Sequence, residues 1–135
     1  MADGNILALD VGAARIGLAV ASTIARLANP YKTIPNNDQV FDTLRQISKQ
    51  EQVRALVVGL PRGLQGQETE QTAAARSFGE KAGQALELPV TWQDETLTSV
   101  KAEAELDKRK ERYSKQDIDA LAATYILEDY LREHV

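Results

Sequence analysis

Two apolar runs of β type, Ile6–Val11 and Ile16–Ala21, stand only four residues apart in this chain. A connection that short joins antiparallel neighbours, so Asn5–Val11 and Arg15–Ala21 read as a β-hairpin turning near Gly12. The first run delivers one carboxylate, Asp10, among aliphatic side chains. An acid at the end of a buried strand is costly unless its charge is compensated. Where the acid serves a site, a cation is the usual compensation, which makes Asp10 a candidate metal ligand or phosphate-site acid. Its alternative is an ordinary turn residue that caps its own backbone.

The rest of the chain alternates. A third extended segment is expected at Asn29–Ile34, between Pro30 and Pro35, and Asn36-Asn37-Asp38 supplies turn and N-cap chemistry. Val40, Leu44 and Ile47 recur at helical spacing to about Gln50. Ala55–Val58 is short and wholly apolar, the pattern of a buried strand, with Gly59-Leu60-Pro61 expected to end it. A loop at Arg62–Gln67 leads to a second helix, Glu68–Leu86, with Phe78, Ala82, Ala85 and Leu86 on one face. Pro89–Gln93 then closes a βαβ unit of parallel strands, with Asp94-Glu95 at its carboxyl end. Thr98–Asp107 reads as helix and Lys108–Tyr113 as a charged connector. The last helix starts at Ser114, with Asp117 in a capping-box position and Ile118, Leu121, Ala122 and Tyr125 as its buried stripe. Three strands followed by alternating helices and strands predict one α/β domain, residues 1–135, with a mixed sheet.

Composition removes several classes of function. With no cysteine there is no disulfide, thiolate metal site or thiol nucleophile, and the one histidine, His134, is next to the last residue. Any catalysis therefore falls to carboxylates, hydroxyls, lysines or a bound metal. No apolar run approaches the ~20 residues that span a bilayer. Met1–Asn5 has neither the basic nor the apolar segment of a secretory signal, so a cytoplasmic protein is expected. The net charge of −4 argues against nucleic-acid binding over the whole surface and requires a local basic patch for such a partner.

In an open α/β sheet, sites form beyond the carboxyl ends of the parallel strands. Asp10 and Glu95 each follow an apolar strand at that end, and Asp119 lies in the first two turns of the last helix. Three carboxylates without histidine or cysteine make a hard oxygen site suited to Mg²⁺ or Mn²⁺. Such sites serve phosphoryl transfer, with two ions ~3.5–4 Å apart across the attacking and leaving oxygens. Glu95 and Asp119 could instead be helix first-turn acids. Strand alternation points Asp94 and Glu95 to opposite faces, and either could be the one facing the site.

Four segments together resemble the YqgF (RuvX) family of Holliday junction resolvases and pre-16S ribosomal RNA nucleases. They are Asp10-Val11-Gly12 through Arg15-Ile16-Gly17; Val57–Pro61 with Gly66 and Thr72; Asp94-Glu95 with Leu97–Val100; and Asp119 with Ala122-Ala123 and Ile126-Leu127. The resemblance runs from Ile6 to Leu131. It implies an RNase H-like, five-stranded mixed sheet flanked by helices, with Asp10, Glu95 and Asp119 as catalytic and metal-binding acids. It also implies metal-dependent hydrolysis of phosphodiesters in precursor rRNA or branched DNA, by a monomer or homodimer. Arg15 and Arg62 are the candidate phosphate-binding residues.

The chain departs from the family pattern at Ala13 and Ala14, where a hydroxyl residue and a lysine are usual, at Thr96 for an arginine, and at Gln116-Asp117 for a basic run. Each change removes positive charge beside the acids. Lys101–Lys115 holds six basic and four acidic residues, a mixture equally suited to a solvated helix and loop. Trp92, between Val90 and Asp94, reads as core. Two other functions fit parts of the pattern. One is an adaptor of the same fold that binds nucleic acid or protein in ribosome maturation or transcription. The other is a phosphate loop of actin-like ATPases and sugar kinases, which require two such domains.

Overall fold

The computed structural model describes residues 3–95, 98–109 and 112–134. Strands β1 (Asn5–Val11), β2 (Arg15–Ser22) and β3 (Asn29–Pro35) form an antiparallel meander. Helix α1 (Val40–Gln50) leads into β4 (Val53–Pro61), which pairs with β1 in parallel. Helix α2 (Glu70–Leu86) then crosses to β5 (Val90–Glu95), parallel to β4. Helices α3 (Thr98–Arg109) and α4 (Lys115–Glu133) complete the described order. The sheet runs β3-β2-β1-β4-β5. The hairpin, the mixed sheet and the βαβ unit expected from patterning all form.

Alternation sorts the strand residues onto two cores. Leu7, Leu9, Ile16, Leu18, Leu56 and Val58 face α1 and α2, while Ile6, Ala8, Ala19, Ala21 and Val57 face α4. Each buried aliphatic chain contributes roughly 1.5–3 kcal/mol, and the middle of β4 is covered on both sides.

Boundaries shift where the ladder outlasts the local signal. The strand expected at Ala55–Val58 runs on to Pro61, because β5 continues beside it with Pro61 opposite Glu95. Pro61 is the last residue of the strand, where a missing donor is tolerated. By the same pairing β5 takes in Asp94 and Glu95. Helix α2 starts at Glu70 rather than Glu68, because Thr69 caps it in a reciprocal capping box with Thr72. The Ser114–Asp117 box expected at the last helix is present. Of the connector, Lys108 and Arg109 are helical, and residues 110 and 111 lie outside the described residues, as does Thr96.

Helix α4 is buried on two sides. The expected stripe, Ile118, Leu121, Ala122 and Tyr125, faces Ala102 and Leu106 of α3. A second stripe, Ala123, Ile126, Leu127, Tyr130 and Leu131, lies on the sheet. A helix held between two layers has no polar face along its middle, so a single stripe captures only half of its packing.

Candidate active site

Asp10, Arg15 and Glu95 occupy strand positions in phase with the residues that face α4. Asp94 is out of phase, and its carboxylate accepts from Arg62 Nη2 at 2.9 Å on the other face. The pleat thus assigns Glu95, rather than Asp94, to the side that carries Asp10. Leu9 aligns with Val58 and through it with Trp92, so Glu95 stands two residues beyond the level of Asp10. With one strand between them, the two backbones are roughly 10–12 Å apart.

Asp119 reaches this face through a glycine. Asp10 pairs across the hairpin with Gly17, and a Cβ on Gly17 would collide with the Asp119 carbonyl oxygen. Only a residue without a side chain lets α4 lie directly on β2 at this point. The Asp119 carboxylate thereby comes beside that of Asp10. Burial first, and the Asp119 charge second, push Asp10 up to about 6.

From Gly17 the helix crosses the sheet obliquely. Ile126 fills the space over Gly59 of β4, and the Glu133 carboxylate accepts from Gln93 Nε2 of β5 at 2.9 Å. This crossing sets Asp129 and Glu133 against Glu95. Burial holds Glu95 well above the usual carboxylate range; the bonded Asp129 carboxyl and the Glu133 charge raise it further, while Lys101 opposes them. Glu95 Oε1 is buried without a hydrogen-bond partner among the described residues. The acids therefore stand as the pair Asp10–Asp119 and a separate cluster around Glu95. Among the described residues no three of them gather about one point.

The two arginines differ. Arg15 Nε donates to Asp119 Oδ2 at 2.6 Å, which turns the rest of its guanidinium along the same face. The Arg62 side chain binds Asp94 and stands 3.9 Å from Glu68, so it is held away from Asp10, while its backbone N–H donates to the Glu95 carbonyl at 2.9 Å. Trp92 packs against the core, as expected, with Arg76 over its ring. Sequence reasoning quoted Gly17 only within the opening motif and missed its packing role, and it missed Asp129 and Glu133. A lone glycine inside a strand was the available signal for the first. The spacing of Ile126, Asp129 and Glu133 along one helix face was the signal for the others.

The donor set fits a hard divalent cation. It is all carboxylate, Asp10 is raised by burial and by the adjacent Asp119, and Glu95 has an orphaned buried oxygen among the described residues. A sheet of this order with acids beyond its parallel strands defines the RNase H-like class. The chain superposes on RuvC of T. thermophilus in complex with Holliday junction substrate with a TM-score of 0.53, at 16% identity, covering 97% of this chain and 95% of that one.

The chain belongs to the RuvX (YqgF) family, described as Holliday junction resolvase, whose pattern matches residues 4–133. Relatives named "Putative pre-16S rRNA nuclease" include that of Chloroflexus aggregans, 39% identical over 97% of this chain and 95% of the relative. That of Sulfurihydrogenibium sp. is 35% identical over 94% of this chain and 89% of the relative. Among the described residues no helix is long and apolar enough to cross a membrane.

Proposed function

We propose that this chain is a metal-dependent endonuclease, cytoplasmic and working as one RNase H-like unit, that hydrolyses phosphodiester bonds in structured nucleic acid. The substrate favoured by its relatives' names is precursor 16S rRNA, and we infer its 5′ end as the point of cleavage; the family description supports branched DNA as the second. The observation that carries the reading is Asp10, a half-buried acid near the carboxyl end of the middle strand, made harder to ionise by burial and by Asp119. A fold keeps such an acid where function requires it.

Asp10 and Asp119, whose carboxylates stand side by side, would hold Mg²⁺ or Mn²⁺. Bound there, the metal supplies charge stabilisation and a water of lowered pKa. Arg15 fixes Asp119 through Nε and offers its remaining N–H groups to a phosphate oxygen. Asp10 would anchor the metal, while Glu95, beyond β4, stands in its own cluster with Asp129 and Glu133.

The test is cleavage of a precursor-rRNA fragment and of a four-way DNA junction, in Mg²⁺ and in Mn²⁺, by wild type and Asp10→Asn free of contaminating nuclease. Cleavage is expected from wild type and a loss of at least a hundredfold in the variant. Equal cleavage by both proteins would falsify this reading. Metal-independent binding without any cleavage would instead identify an adaptor.

A further inference from the structure

Three large apolar side chains are strongly exposed among the described residues: Ile24, Leu27 and Leu64. Ile24 and Leu27 lie in the turn after β2, at the end of the sheet away from Asp10. Leu64, 86% exposed, lies in the loop that leaves the carboxyl end of β4, on the candidate catalytic edge.

That loop is built to hold Leu64 outward. The Gly63 N–H donates to the Gln67 carbonyl at 2.8 Å, and the Gly66 N–H to the Gly63 carbonyl at 2.9 Å. The Gln65 N–H donates to Gln67 Oε1 at 3.0 Å. Gly66 has φ +79°, a conformation that closes the turn and that a side chain would strain. The base is pinned as well. The buried Thr72 hydroxyl donates to the Pro61 carbonyl, and the Arg62 N–H donates to the Glu95 carbonyl at 2.9 Å. Arg62, Gly66, Asp94 and Glu95 line one open cleft beside it. A loop free to fold back would bury Leu64 and gain apolar contact; the closed turn prevents this.

The chemistry around Leu64 fits a nucleobase. From Arg62 to Gln67 the loop contains one cation, two glutamines and no acid, in a chain of net charge −4. Apolar wedges of this size enter base steps and support bases out of the stack. We propose that Leu64 is a wedge that contacts an unstacked base next to the scissile phosphate, making cleavage selective for phosphates at a boundary between paired and unpaired nucleotides. This rests on the nuclease reading above.

The experiment uses an RNA hairpin with an unpaired 5′ extension, 2-aminopurine at the first unpaired position, and a continuous duplex of the same length. Wild type, Leu64→Ala and Leu64→Phe are mixed with each. Fluorescence is read at mixing and cleavage is read afterwards. Wild type is expected to raise the fluorescence and cleave the extended hairpin faster. Leu64→Ala should lower that rate roughly tenfold and flatten the fluorescence rise while leaving the duplex rate unchanged, and Leu64→Phe should restore both. Unchanged melting is expected, since the side chain is exposed. Equal fluorescence and rates for wild type and Leu64→Ala would overturn the wedge alone. If wild type binds and cleaves neither RNA, the nuclease reading fails and the wedge falls with it.

Discussion

At neutral pH the folded chain carries Asp10 ionised against its surroundings. Burial and Asp119 move its value from 3.8 up to about 6, so between these values the folded state holds a proton that the unfolded state has released. Stability therefore falls as pH rises through this window, and the full cost, on the order of 3 kcal/mol, is present above pH 6. Asn cannot ionise and escapes it. Asp10→Asn should melt higher than wild type at pH 7 by roughly 9–12 °C while losing cleavage, and the gain should largely vanish at pH 4. Melting curves at the two pH values decide it; a variant that melts lower at pH 7 would remove the argument that Asp10 is held at a cost for function. Asp10 itself was legible, because an acid in an aliphatic strand is conspicuous. The choice between Asp94 and Glu95 was not, since alternation decides it only once β5 is known to extend through both. The Arg15 contact with Asp119 joins residues 104 positions apart, beyond the reach of local pattern.

Elements decide whether these residues meet. The strands and helices could be read from period and punctuation, and the capping box at Ser114 from four residues alone. The path of α4 could not. Its oblique crossing depends on which side chains are missing beneath it, at Gly17 and Gly59, and on α3 covering its outer face. Gly17→Ala tests this dependence. The added methyl would meet the Asp119 backbone, and neither β2, paired on both sides, nor a helix packed on two sides can yield cheaply. We expect a destabilisation of about 2–3 kcal/mol, measured by urea unfolding, together with a larger loss of cleavage than the stability change explains, because Asp119 is lifted from Asp10. Unaltered stability would mean that α4 does not lie directly on β2.

On the scale of the whole molecule the difficulty is charge. A chain of net −4 must hold a polyanion, yet both arginines nearest the acids are already engaged, Arg15 by Asp119 and Arg62 by Asp94. The family's usual basic positions are Ala14 and Thr96 here, which leaves few cations to displace counterions from phosphates. Affinity should then rest on the metal more than on a basic surface. The expected signature is a shallow dependence of log K on log salt, with a slope between about −1 and −3, read by fluorescence anisotropy of a labelled RNA at 50–200 mM KCl in Mg²⁺. Chelating the divalent ion should weaken binding at least tenfold. A slope of about −6 or steeper, indifferent to chelation, would place the phosphate contacts on a broad basic face away from Asp10, and the acids would no longer be what draws the substrate to this edge.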